Sequence, residues 1–267
     1  MRATAFAATL AAATLSLAGC ATSPTGRSQL MMVSDAQMSQ MGITAFNDMR
    51  KQGKFVDAPR QRAYATCVAN ALIAVLPPPW NANQWEVQIV GDDSANAFAL
   101  PGGRIGVNQG MFKIATNQDQ LAVVLGHELA HVVARHGAER VSDNYAAQAA
   151  VAAGTIYAGT RGTNTGYAAA ALGLGAEVGI LLPFSRTQES EADVLGQRYM
   201  AEAGFDPRAA ATLWQKMGAQ GGSKPPAFLS THPSSSKREQ TLQQQAQQLM
   251  PVYQQARAHH HDPECRL

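Results

Sequence analysis

Residues Leu121–Arg140 read LAVVLGHELAHVVARHGAER, and this stretch decides the rest. Thr116 or Asn117 stands where a helix N-cap belongs, Asp119 and Gln120 fill a first turn that favours acids, and Gly137 offers a stop. Between Leu121 and Ala134 the only polar side chains are His127, Glu128 and His131. A helix that is apolar almost all round belongs inside a protein. Burying a carboxylate and two imidazoles there is costly unless something compensates them.

A metal ion compensates all three. His127 and His131 are four residues apart, so one helix face presents both rings to one cation. Glu128 lies about 100° further round, placed to reach a water at the cation without being a ligand. HExxH is the spacing of zinc peptidases, with the glutamate as general base. With 7 His and nine Glu in 267 residues, that spacing arises by chance roughly 0.006 times per chain, so composition alone does not explain it.

A catalytic zinc takes a third protein ligand and keeps one position open. The HExxHxxGxxH pattern is excluded, because positions 134 and 137 hold Ala134 and Gly137. His136 falls on the opposite helix face, and Glu139 lies about 12 Å beyond His131 along the axis. Further on, the helix predicted over Ser185–Gly204 carries Glu189 and, four residues later on the same face, Asp193. Glu189 is the candidate third ligand and Asp193 the acid that would orient a ligating imidazole. Glu191 points elsewhere. The competing reading is a surface helix with solvated acids.

HELAH at 127–131, ESEAD at 189–193 preceded by Ser185-Arg186, and THP at 231–233 together resemble the HtpX and CAAX-prenyl-protease family of zinc metallopeptidases (the M48 gluzincins). The similarity runs from about Asp35 to Arg257 and is greatest to the soluble periplasmic lipoprotein branch. It implies His127, His131 and Glu189 as ligands of one Zn2+, Glu128 as catalytic base and Asp193 as an acid in the site. It also implies His232 near the metal, as a resting-state ligand or as a donor to the developing oxyanion. The alternative for His232 is a loop histidine capping the next turn. The substrates implied are unfolded or misassembled cell-envelope polypeptides. The intramembrane members' helices and the helical-repeat domain of some periplasmic members are absent from the expected layout.

The front of the chain adds a compartment. Residues 1–19 carry Arg2 and an Ala-rich apolar run too short to span a bilayer. Leu17-Ala18-Gly19-Cys20 resembles a bacterial lipobox, which implies cleavage before Cys20 and its acylation, with Ala21 in place of Asp directing the protein to the periplasmic face of the outer membrane. An ordinary secretory signal is the alternative. The expected layout is a signal peptide over 1–19, an acylated Cys20 with a tether over 20–33, a metallopeptidase domain over 34–258, and a solvated tail over 259–267 that includes His259, His260 and His261. Formal charge is +2, with no basic block, so no nucleic-acid partner is expected. Cys67 and Cys265 either pair, as an oxidising compartment permits, or leave Cys67 as a buried thiol.

The fold class expected is α+β, zincin-like, mostly helical with a small, mainly antiparallel sheet. Ser34 caps a helix to about Arg50, and Asp57 caps another to about Leu76. Trp85–Val90 alternates as a strand, and Asn96–Asn108 reads as a hairpin about Pro101-Gly102-Gly103. Gly106 marks either a bulge or a bare backbone along which a substrate strand adds. Residues 144–183 read as two helices joined by a glycine loop, as a lid or as packing helices. Asp206-Pro207 starts a helix to Met217, and the last helix buries Leu242, Ala246, Leu249 and Tyr253. A rival function is a lipid-anchored chaperone or binding module with a structural zinc, and a third is a different zinc hydrolase such as a cell-wall amidase.

Overall fold

The structure is a computed structural model, and it describes residues 19–160, 184–219, 227–232 and 236–267. Residues 1–18 of the expected signal peptide, most of the glycine loop of 144–183 and the prolines flanking His232 lie outside the described residues. The chain divides into two compact units: Met1–Gln37 with Arg135–Leu182, and Met38–Ala134 with Pro183–Leu267.

In the first unit, strands β1 (Cys20–Thr22) and β2 (Ser28–Leu30) pair antiparallel with Cys20 opposite Leu30. The stretch expected as a tether is thus a hairpin, closed by Gly26 at φ +91°. Its Arg27 and Gln29 side chains both donate to Glu139, and the Met32 N–H donates to Ser142 Oγ at 2.8 Å.

In the second unit the helices follow their caps with two corrections. Helix α1 (Asp35–Lys51) starts behind Ser34, whose Oγ accepts from the Gln37 N–H. Helix α2 (Pro59–Ala74) begins at Pro59 with Ala58 as N-cap, not Asp57, because a proline at the first position already has helical φ. Strand β3 (Glu86–Val90) runs parallel to β5 (Arg104–Asn108), and β5 runs antiparallel to β4 (Ala97–Leu100). The order β3-β5-β4 puts β5 in the middle. Counting β1–β2, two of the three strand pairings among the described residues are antiparallel, as the expected fold class has it.

The β4–β5 hairpin turns through Gly102 and Gly103 at φ +83° and +74°. Both readings of Gly106 give way to a third: a Cβ there would lie 2.2 Å from the Phe98 ring, which covers it from the opposite strand. No substrate strand can add along β5, since both its edges are taken. Among the described residues the outer strands of this sheet are β3 and β4.

After a short turn α3 (Met111–Ile114) comes α4 (Gln118–Val133). Asn117, rather than Thr116, is its N-cap, accepting from the Gln120 N–H at 2.9 Å. Every residue of α4 from Gln120 to Val133 is buried. The helix ends short of Gly137. Ala134 caps it, Arg135 takes φ +59°, and α5 (His136–Thr160) opens in the first unit with Gly137 inside its first turn.

Helix α6 (Arg186–Glu202) begins with a reciprocal capping box between Ser185 and Gln188. It ends at Gly204, φ +82°, where a side chain would strike the His261 carbonyl. Helices α7 (Ala209–Ala219), α8 (Ala227–Thr231) and α9 (Ser236–Ala258) complete the unit. In α9, Leu242, Ala246 and Leu249 are buried as expected. The tail is exposed as expected, His259, His260 and His261 included, but it is also fastened at one point. Cys265 is disulfide-bonded to Cys67 on α2, and its N–H donates to Gln118 Oε1.

The core joins α4 to β5, α2, α6 and α7 through Leu125, Ile105, Leu72, Met200 and Trp214. Helices α4 and α6 cross where Gly126 meets Gly196. A Cβ on Gly196 would stand 2.8 Å from both Gly126 C and His127 N. These obstacles are backbone, which cannot swing aside. Gly196→Ala is therefore expected to destabilise the second unit by about 1–3 kcal/mol, the usual range for overpacking, and urea unfolding monitored by far-UV circular dichroism measures it. An unchanged midpoint would mean that the two helices do not meet at this point.

Candidate metal centre

Helix α4 supplies His127, Glu128 and His131; α6 supplies Glu189 and Asp193; the residue after α8 supplies His232. All six are buried. The helix period aligns His127 with His131, and their Nε2 atoms approach to 3.0 Å. The α4–α6 crossing brings Glu189 opposite them, Oε2 at 3.4 Å from His127 Nε2 and Oε1 at 3.5 Å from His131 Nε2. His232 is set by its own N–H, which closes the last turn of α8 on the Phe228 carbonyl. Its Nδ1 lies 2.8 Å from Glu189 Oε1 and 3.2 Å from His127 Nε2. One donor atom from each of His127, His131, Glu189 and His232 falls within 4.8 Å of the others.

Glu128 sits beside this group rather than in it. Its Oε1 is 3.3 Å from His232 Nε2, and its carboxylate is hydrogen-bonded by the Ala99 backbone of edge strand β4. Asp193 lies behind His127, with Oδ1 at 3.1 Å from the far ring nitrogen Nδ1. Glu191 is buried but is not one of the four, and His136 belongs to the first unit. The reading of the α6 acids as a solvated surface cluster is thereby corrected, since Glu189, Glu191 and Asp193 are all buried.

Sequence reasoning missed Arg238. It stands in the first turn of α9, and its Nε and Nη2 donate to the two oxygens of Asp193 at 2.5 and 2.7 Å. Nη1 lies 3.0 Å from Glu189 Oε2. The guanidinium lies 3.7 Å over the Trp214 ring. No local pattern singles it out among 21 Lys and Arg; the one available signal was that two buried acids on α6 need a buried cation. Also missed were the aromatic walls. Phe184 stacks on His131 at 3.8 Å, Phe228 stacks on His232 at 4.5 Å, and Trp214 meets the edge of His127.

The electrostatics follow from burial and neighbours. Burial pulls the His127 pKa down, but hydrogen bonds to Asp193 and Glu189 and their charges outweigh it and raise it to about 9. Burial, reinforced by the charge of His127, pushes His131 well below the usual imidazole range despite its bond to Glu189. Burial raises Glu128, opposed by the charges of His232 and His127. Burial would raise Glu189 too, but the three imidazoles that face it, His127, His131 and His232, hold it far below the carboxylate range.

The cluster suits a cation. Two neutral imidazole nitrogens 3.0 Å apart repel unless a proton or a metal stands between them. Glu189 Oε2 and Glu128 Oε1 are buried without a hydrogen-bond partner, although Arg238 and His232 lie near them at angles unsuited to bonding. Each such acceptor costs about 1–3 kcal/mol if left unsatisfied. A nitrogen–nitrogen–carboxylate set is the donor combination of zinc sites in hydrolases. The residues present can therefore bind a metal.

Comparison with known proteins agrees with that chemistry. Residues 59–246 match Peptidase family M48. The chain is 43% identical over 164 residues to the mitochondrial metalloendopeptidase OMA1 of Schizosaccharomyces pombe, covering 58% of this chain and 44% of that protein. It is 28% identical over 236 residues to the beta-barrel assembly-enhancing protease of Escherichia coli, covering 85% and 47%. Against the protein of that name from Yersinia pestis it is 31% identical over 227 residues, covering 81% and 45%. The chain thus spans less than half the length of these relatives. With the family matched across the very elements that build the cluster, the chain belongs to Peptidase family M48.

Proposed function

We propose that the chain is a zinc-dependent endopeptidase, with His127, His131 and Glu189 as the ligands and Glu128 as the general base. The observation that carries this is the placement of Glu128. A buried carboxylate stands beside three convergent ligand atoms, and a purely structural metal has no use for it. Zinc held there supplies Lewis-acid polarisation of the scissile carbonyl and a lowered water pKa.

The remaining work falls to the chain itself. Burial raises the proton affinity of Glu128, which suits a group that takes a proton from water and hands it to the leaving amine. Edge strand β4 leads to Ala99 beside Glu128, so a peptide added along β4 would bring its backbone to the base. Asp193 is assigned a positioning role: it holds the Nδ1–H of His127 and so leaves Nε2 free for the metal. His232 is assigned the resting-state ligand role. Its Nδ1 points into the ligand group, which supports ligation over oxyanion donation.

The substrates proposed are unfolded or misassembled polypeptides of the bacterial cell envelope, and the place is the periplasmic face of the outer membrane through a lipid on Cys20. The name of the Escherichia coli relative, a beta-barrel assembly-enhancing protease, supports this, as does the lipobox-like Leu17-Ala18-Gly19-Cys20. Cys20 is exposed at the start of β1. A Cys67–Cys265 disulfide suits an oxidising compartment. Among the described residues no helix is long and apolar enough to cross a membrane, which makes the lipid the proposed anchor.

A second reading, a chaperone or binding module with a structural zinc, draws on the four-residue cluster itself, since four protein ligands close a structural site. One pair of variants separates the two. Glu128→Gln is expected to keep zinc and lose casein hydrolysis by about 10²–10⁴-fold, while Glu189→Ala loses both. Hydrolysis by Glu128→Gln near the wild-type rate would return the site to the structural reading.

His232→Ala reports on latency. If the imidazole occupies a metal position at rest, its removal raises steady-state hydrolysis of an unfolded substrate. A clear loss of kcat with zinc retained would instead make His232 a donor to the transition state. For the anchor, Cys20→Ser is expected to abolish incorporation of labelled fatty acid in cells, and unchanged labelling would leave the lipid without its attachment point.

A further inference from the structure

Arg238 belongs to no ligand motif, yet it is the hub of the buried polar network. It reaches α6 through Asp193 and Glu189, α7 through the Trp214 ring, and the His232 carbonyl at 3.5 Å. A surface ion pair of this kind would be worth little. Here the guanidinium and both acids are buried, and stranding one such charge is strongly unfavourable. The geometry also selects arginine. Its plane lies against Trp214, so its N–H groups point outward along the edge, where a fork fits the Asp193 carboxylate. A lysine ammonium offers one point charge and no such fork.

Asp193 Oδ1 receives Arg238 Nη2 at 2.7 Å and lies 3.1 Å from His127 Nδ1. The carboxylate that orients the His127 ring is therefore itself oriented by Arg238. The same guanidinium lies 3.0 Å from Glu189 Oε2, so it borders two of the three proposed ligands at once. We propose that Arg238 is a positioning residue of the metal centre, fixing Asp193 against His127 and steadying Glu189 so that both ligands are set before the cation arrives. This rests on the reading of the cluster as a zinc site.

Zinc affinity tests it directly, by competition with a chromophoric chelator, on the full chain of wild type, Arg238→Lys, Asp193→Asn and the double variant. The melting temperature of each metal-free protein is recorded beside it. Partners that orient a ligand typically carry 10–100-fold in metal affinity. Arg238→Lys is expected to weaken zinc binding by that factor while still melting cooperatively. In the Asp193→Asn background the same change is expected to cost clearly less than it does alone, since Arg238 then has only the Glu189 carboxylate left to steady. Should the lysine variant lack a cooperative melt, Arg238→Gln, which keeps a planar donor, is held to the same thresholds. Affinity within threefold of wild type, or losses that add fully in the double variant, would overturn the positioning role while leaving the zinc site standing. A wild-type chain that takes up no zinc would overturn both.

Discussion

The close crossing of two helices at Gly126 and Gly196 is the constraint on which the rest depends. Neither residue carries a side chain, so backbone meets backbone, and a single added methyl group would stand 2.8 Å from main-chain atoms. The crossing lies one residue from His127 and one α6 turn beyond Asp193. It sets the distance at which Glu189 and Asp193 face the two imidazoles. Helix propensity argues against a glycine in either helix by roughly 1 kcal/mol each, and the packing they permit offsets that cost.

At that crossing the chain gathers a group of ionisable side chains that no isolated helix would hold in an apolar interior. Their compensation is layered. His127 is flanked on one ring nitrogen by Asp193 and on the other by the ligand group. Arg238 answers the acids from outside, and three aromatic rings shut the group from water. Inside such a wall each hydrogen bond is electrostatically stronger than in water, and each missing one more costly. That is why the two unpartnered carboxylate oxygens, Glu128 Oε1 and Glu189 Oε2, mark where further positive or donor groups belong.

The sheet contributes an edge rather than a surface. Because β5 is shared by β3 and β4, the strand that reaches Glu128 is an outer strand of the sheet among the described residues. Phe98 fills the space over Gly106. At the other end of the unit, the Cys67–Cys265 link and the Cys265 bond to Gln118 fasten the last residues to the N-terminal end of α4. The helix that carries His127 and His131 is thus held at its start by the tail and at its middle by α6.

Much of this was legible locally. The i, i+4 imidazoles, the apolar stretch around them, a cap at Thr116 or Asn117 and the glycine turn of β4–β5 are short-range features, decided by helix period, capping and backbone φ. Glu189 and Asp193 were legible for the same reason, as one face of one helix. What distance along the chain concealed was everything made by packing. Arg238 is 45 residues from Asp193, and nothing in its own neighbourhood distinguishes it from other cations. Ala58 took the cap expected of Asp57 because Pro59 had already set the first helical φ. Gly106 looked open because the ring that covers it comes from another strand. The pairing of Cys67 with Cys265 had two equal readings, since a bond across 198 residues is settled by where the tail lands. The sequence by itself determined which groups must leave water and which of them share a helix face. Only the tertiary structure decided which partners meet them there, because the energy of a buried charge depends on neighbours brought from other parts of the chain.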